Sequence, residues 1–214
     1  VVFTDNDRPG VMLAHGARTF LHRYGVKVGG QAVVFTTNDS AYAAAIDLHD
    51  AGVAVNAIVD ARAQAPERWK TECDRRGIPV RTDSVITGTR GAERITHAVV
   101  SPHSDPDQQL PLSCDVLLVS GGWNPAVHLF SQARGTLRYD ESLGAFVPGE
   151  QLPGVSVAGS ANGVFNLAGC LRDGQQAGAA AVGELGLPPA APLQVVTEDD
   201  GESSQSLVLW RVPD

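Results

Sequence analysis

Hydrophobic and polar positions switch period within residues 31–62. An apolar run at 32–35 leads to an alanine-rich segment at 40–50, and a second apolar run at 53–59 ends on Asp60. Helical spacing in the middle segment places Ala41, Ala44, Ala45 and Leu48 on one face, small enough to lie close against a sheet. Parallel strands need a right-handed crossover, and this helix supplies it. The pattern has the length and layout of a dinucleotide-binding βαβ unit, with an acidic residue closing the second strand.

Around that unit the pattern predicts a short strand at 1–4, a polar turn DNDRPG, and a helix at 11–24 stopped by Gly25. A helix at 65–76 has Pro66 near its start and Gly77 just past its end. Strands are expected at 80–86, 92–101 and 116–120, the first two forming a meander about residues 88–91, with a polar loop at 103–113. The 116–120 run is continuously apolar, as in a strand buried on both faces. A short amphipathic segment, AVHLFSQA, and a turn-rich excursion at 139–148 follow. A strand at 154–158 then opens into a glycine-bearing loop and a helix to about Leu185, whose Gly174, Ala177, Gly178 and Ala181 suit tight packing on a sheet. From Gly186 the chain reads as a linker: LPPAAP is extended, EDDGES is acidic, and SLVLWRVP is an edge strand or the lead into a further domain.

The first turn lacks the glycines its outline calls for. On the G-x-G-x-x-G/A fingerprint it reads Thr36, Thr37, Asn38, Asp39, Ser40, Ala41, so only the last position keeps a small residue. Thr36 and Asn38 each place a Cβ where the chain must turn tightly or approach a pyrophosphate. Asp39 adds negative charge at the helix N-terminus, where a phosphate would sit. The shape is expected to be retained and the ligand lost, with Asp60 a weaker candidate for a ribose hydroxyl.

Composition narrows the function classes. At 214 residues, 43% hydrophobic, with 23 glycines and 13 prolines, the chain suits one large or two small α/β domains. A net charge of −8 gives no reason to expect nucleic acid or an anionic membrane as partner. No apolar run approaches the roughly 20 residues of a spanning helix, and no signal peptide opens the sequence, so a cytoplasmic location is expected. Cys73, Cys114 and Cys170 form no C-x-x-C, which argues against a zinc ribbon or a redox disulfide and for buried free thiols. His15, His22, His49, His97, His103 and His128 have no metal-ligand spacing and no nucleophile partner. No catalytic residue and no metal ligand is therefore named. Trp123 suits either a partner contact or core packing, and Asp5, Asp7 and Arg8 suit a solvated or salt-bridged turn. Opening at Val1 without methionine is what a piece of a longer product would show.

Several stretches together resemble one family, the alpha subunit of bacterial heterotetrameric sarcosine oxidase: FTDNDRPGVMLAHGARTFLHRYGV, AVVFTTNDSAYAAAIDLHDAGV, VSGGWNPAVHLFSQ, GAFVPG and VAGSANGVFNLAGCLRDG. Opine dehydrogenase and hydrogen cyanide synthase subunits share the architecture and stand as alternatives. The resemblance implies a flavoprotein α/β fold in which one FAD/NAD(P)-binding, Rossmann-like three-layer domain is inserted into the C-terminal half of a second. Residues 31–112 would be the insertion, residues 1–30 and 113–185 the partial outer domain, and 186–214 a linker to a C-terminal folate-binding domain. It implies oxidation of sarcosine to glycine, with formation of hydrogen peroxide and methylenetetrahydrofolate. NAD would lie on the alpha subunit, FAD and FMN mainly on other chains, and the partners would be beta, gamma and delta subunits and tetrahydrofolate.

The resemblance also points to a second turn. Related flavin reductases carry Gly-Asp where this chain has Gly159 and Ser160, and a neutral serine suits NAD better than FAD. Ser160, Phe165 and Leu167 are the implied contacts, with Gly159, Ala161 and Gly163 shaping the loop. Its backbone N–H groups, after a strand and before a helix, can face a pyrophosphate. A scaffold with no working nucleotide site is the competing reading.

Overall fold

The computed structural model describes residues 1–150, 152–188, 191–194, 196, 197 and 206–212. They fall into two compact units, Val1–Gly122 with Ser206–Asp214, and Trp123–Gln205.

The first unit is built on a five-stranded sheet. Its elements are β1 (Val11–Leu13), α1 (Ala14–Tyr24), β2 (Gln31–Thr36), α2 (Ser40–Asp50), β3 (Ala54–Asp60), α3 (Glu67–Arg76) and β4 (Val80–Arg81). A meander of β5 (Ser84–Arg90), β6 (His97–Pro102) and β7 (Leu110–Ser113) precedes the last sheet strand, β8 (Val116–Ser120). Strand order is β1-β8-β2-β3-β4, every pair parallel, and the meander forms a separate antiparallel sheet.

Period-two alternation along β2, β3 and β8 divides the apolar side chains between two cores. Val34, Ile58 and Leu118 face Ala41, Ala44, Leu48 and Cys73 of the helices. Val33, Phe35, Val59, Leu117 and Val119 face Val85, Ile86, Ala98 and Val100 of the meander. The result is three layers, helices on one face and the antiparallel sheet on the other. Each large aliphatic side chain fully buried in this way contributes about 1.5–3 kcal/mol.

Two expectations shift here. The helix expected from residue 11 begins at Ala14, because Val11–Leu13 pair with Leu117–Val119 as a strand and sheet pairing overrides the helical spacing. Strands β1 and β8 share the sheet with β2 and lie in the same compact unit. The loop expected at 103–113 contains β7, whose pairing with β6 supplies the order its composition conceals. The DNDRPG turn is docked: Arg8 pairs with Asp5 at 2.7 Å and donates to Thr89 Oγ1 at 2.9 Å and to the Gly91 carbonyl.

The second unit holds α4 (His128–Gln132), an antiparallel hairpin of β9 (Leu137–Asp140) and β10 (Ala145–Pro148), a 3-10 turn Gly159–Asn162 and α5 (Leu167–Glu184). Residues 154–158 form no ladder among the described residues; Val155 makes only an isolated bridge to Leu152. Nor does α5 pack tightly along its length. Gly174 and Gly178 are exposed, and Ala168 is the one buried residue of the helix. The EDDGES run lies outside the described residues. Leu207, Leu209 and Val212 belong to the first unit's meander-side core, with Val2 bridging Arg211 in parallel.

Candidate functional site

The chain presents two turns ahead of a helix, one between β2 and α2 and one before α5, and they are built differently. In the first, residues 36–41, side chains bond to one another and to the neighbouring strand. Thr36 Oγ1 donates to the Asn38 carbonyl at 2.7 Å, and Asn38 Oδ1 accepts from Ser40 N at 3.0 Å and from Ser40 Oγ at 2.6 Å. The Asn38 amide donates to Ser120 Oγ at 3.2 Å, and Thr37 N–H donates to the Ser120 carbonyl at 3.1 Å. Thr36, Thr37, Asn38 and Asp39 are all buried.

Beneath this turn Asp60, 0% exposed, accepts from Arg62 N at 3.0 Å, Arg62 Nε at 3.0 Å, Arg62 Nη2 at 2.7 Å and the Tyr42 hydroxyl at 2.7 Å. Arg62 Nη1 also reaches Asp39 Oδ1 at 2.7 Å. One guanidinium thus neutralises both acids, in the region a dinucleotide's ribose and phosphate would need. Burial would lower the Arg62 pKa, but the bonds to Asp60 and Asp39 outweigh it and hold the cation firmly charged. Burial, then the adjacent Asp60 charge, push the Tyr42 hydroxyl well above the ordinary tyrosine range, so it remains a donor. Tyr42 is further held by stacking on Trp69, centroids 6.0 Å apart and planes 17° from parallel.

In the second turn most polar groups face outward. Gly159 (φ 66°) and Gly163 (φ 88°) adopt left-handed backbone that favours glycine, and a Cβ on Gly163 would lie 2.8 Å from Leu143 Cδ1. Gly159 is buried, Ala161 and Gly163 are half-buried, and Ser160, Phe165 and Leu167 are exposed. Asn166 caps α5 through Oδ1, which accepts from Gly169 N at 2.7 Å. The N–H groups of Leu167 and Ala168, one and two residues past the cap, precede any intrahelical acceptor. Asp173 reaches back from α5 to accept from Gly159 N at 2.7 Å and from the Asn162 amide at 3.2 Å.

The donor set therefore fits a diphosphate at the α5 end of the loop but not at Gly159, whose N–H an anion already holds. A cavity of about 340 Å³ in the same unit is lined by Ser156, Asn162, Asp173, Gln176 and Ala177, and excludes Ser160, Phe165 and Leu167. Sequence reasoning missed Arg62, Asn166 and Asp173. Asn166 was findable as a cap residue directly before a helical run; Arg62 and Asp173 act at distances that no local motif encodes. Cys73 and Cys114 are buried free thiols, each pushed up to about 11 by burial, and Cys170 is a half-buried free thiol. Among the described residues no group of three or more His, Cys, Asp or Glu is placed to hold a metal, and no helix is long and apolar enough to cross a membrane.

No protein-family model matches this sequence. It is 39% identical over 219 residues to sarcosine oxidase subunit alpha of Corynebacterium sp. (strain P-1), covering 100% of this chain and 22% of that protein. Against the same-named subunit of Rhizobium meliloti (strain 1021) it is 38% identical over 216 residues, covering 100% and 21%. The chain thus spans about a fifth of the length of the curated relatives it matches. Among solved structures, T. acidophilum thioredoxin reductase superposes with a TM-score of 0.68 at 18% identity, covering 86% of this chain and 61% of that one. L-proline dehydrogenase from P. horikoshii does so with 0.59 at 21% identity, covering 89% and 33%. At such identities these likenesses show the fold alone, and it is the expected α/β dinucleotide-binding fold with a parallel sheet.

Proposed function

We propose that this chain, homologous throughout its length to one segment of the sarcosine oxidase alpha subunit, serves a flavin-dependent amine oxidoreductase by holding NAD at residues 159–167. The amine-oxidising chemistry is assigned to residues outside these 214. The observation that carries this reading is the contrast in charge and donors: Arg62 already pairs with Asp60 and Asp39 at the first turn, while the N–H groups of Leu167 and Ala168 precede any intrahelical acceptor at the start of α5.

In this reading the first-turn amides of α5 donate to phosphate oxygens, where the helix dipole favours negative charge. Asn166 keeps the loop in register by capping the helix, and Asp173 pins Gly159 so that the loop is pre-shaped. Ser160 offers a neutral hydroxyl, and Phe165 and Leu167 an apolar flank. NAD, when bound, would supply a nicotinamide group, with or without redox turnover. FAD and FMN would reside mainly on other chains, beta, gamma and delta subunits would complete the oxidase, and tetrahydrofolate would bind a further domain. Sarcosine would be oxidised to glycine with hydrogen peroxide and methylenetetrahydrofolate as products. The curated relatives described above carry the sarcosine oxidase name, which favours this reading over the opine dehydrogenase and hydrogen cyanide synthase alternatives.

Calorimetric titration of NAD into the intact alpha subunit is the test. One binding event, weakened at least about tenfold by Ser160→Asp through added charge beside the phosphates, is expected. Absence of any heat of binding would favour the scaffold reading, and unchanged affinity in the variant would remove the loop from the site.

A further inference from the structure

The carboxyl ends of the central strands in the first unit, where an open α/β sheet forms its ligand crevice, are covered by a segment of the same chain. In the order β1-β8-β2-β3-β4, β2 has its sequential successor β3 on one side and β8 on the other. Open α/β sheets take ligands at such a point, outside the carboxyl ends of the strands. Here β2 and β8 finish side by side, Thr36 opposite Ser120, and the next residue, Thr37, is 0% exposed.

What lies at that end is the segment 206–212. Leu207 N–H donates to the Thr37 carbonyl at 2.9 Å, and Leu207 and Leu209 pack against the core that contains Phe3, Phe35 and Val119. Val2 N–H donates to the Trp210 carbonyl at 2.9 Å, and Val212 N–H donates to the Val2 carbonyl at 2.8 Å. The alternate side chains point away: Trp210 is 64% exposed.

This cover is imperfect in one respect. Thr37 Oγ1 is buried and has no hydrogen-bond partner, a state it shares with only Trp69 Nε1 among the described side chains. A buried hydroxyl without a partner opposes the closure that buries it, because water would satisfy it if the cover lifted. Three backbone bonds, two half-buried leucines and the buried Val212 hold the segment, whereas β2 is paired on both edges along its length.

We propose that residues 206–212 are a strap that occupies the crevice in place of a ligand and opens from it independently of the sheet. The strap holds the turn at residues 36–41 shut, and Thr37 sets how readily it opens.

Amide hydrogen exchange on the intact alpha subunit tests this. The strap opens locally, so the amides of Leu207 and Val212 exchange at least about a hundredfold faster than those of Val34 and Phe35 in β2. Thr37→Val removes the unsatisfied hydroxyl at nearly constant shape and slows exchange at Leu207 and Val212 about tenfold, leaving β2 unchanged. Leu207→Pro removes the donor to Thr37 and speeds exchange at Val2 and Val212 at least about tenfold. Strap amides that exchange in step with β2 in the unaltered protein would show an integral part of the fold, and overturn the proposal without any variant. Rates at Leu207 that Thr37→Val does not slow would equally overturn it.

Discussion

The turn at residues 36–41 and the loop at 159–167 begin from the same topological offer, backbone donors ahead of a helix, and use it in opposite ways. At the first, Arg62 supplies positive charge, Asp60 and Asp39 the negative, and Asn38 and Ser40 hydrogen bonds within the turn. At the second, one aspartate pins the loop's start and one asparagine caps the helix, while Ser160, Phe165 and Leu167 remain exposed. A Rossmann outline thus says little about occupancy. On the reading proposed above, what decides it is whether the acid at the end of the second strand still has acceptor capacity to offer.

The sharpest way to break the contrast is to remove the internal cation. Arg62→Ala leaves Asp60 and Asp39 buried without their counter-charge and should destabilise the first unit by about 3–5 kcal/mol, read by chemical denaturation of the intact subunit. A loss within experimental error would mean that the two acids are solvated and the first turn is open. Next in size is Gly163→Ala, which forces an L side chain into φ 88° and against Leu143. It should cost about 1–3 kcal/mol and weaken NAD binding, while Arg62 variants that remain folded keep their NAD affinity. Asn166→Ala should cost about 1 kcal/mol through the lost cap, with a parallel fall in affinity as the loop loosens.

The smallest effect concerns the thiols of the first unit. Cys73 and Cys114 are raised to about 11, above the unfolded thiol's ordinary range, so the folded state holds its thiol protons to higher pH. Their contribution to stability is complete below the unfolded pKa, roughly 8.5, and is lost as pH rises through 11. Denaturation midpoints should therefore decrease as pH rises from about 9 to 11. At pH near 8, a thiol reagent should modify Cys170 before either buried cysteine.

Much of the first unit was legible from patterning alone. The apolar runs at 32–35 and 53–59 and the small helical face at Ala41, Ala44, Ala45 and Leu48 became β2, α2 and β3 because each local preference agrees with burial on both sheet faces. Legibility failed where pairing partners are distant. Val11–Leu13 carry helical spacing yet are a strand, since Leu117–Val119 lie alongside, and β7 hides in polar composition because only β6 orders it. Residues 154–158 show the reverse, a strand-like run without a ladder among the described residues. At the candidate site, the missing glycines announced that the first turn had changed. That Arg62 had moved in to close it could not be read from the spacing, because a guanidinium two residues past an acid looks like any surface pair until both are seen to be buried.

The most direct measurement is a structure of the intact alpha subunit with NAD bound. The diphosphate should lie within hydrogen-bond reach of the Leu167 and Ala168 amides, with Arg62 still paired to Asp60 and Asp39. A dinucleotide seated instead at residues 36–41, with Arg62 swung away from Asp60, would contradict it.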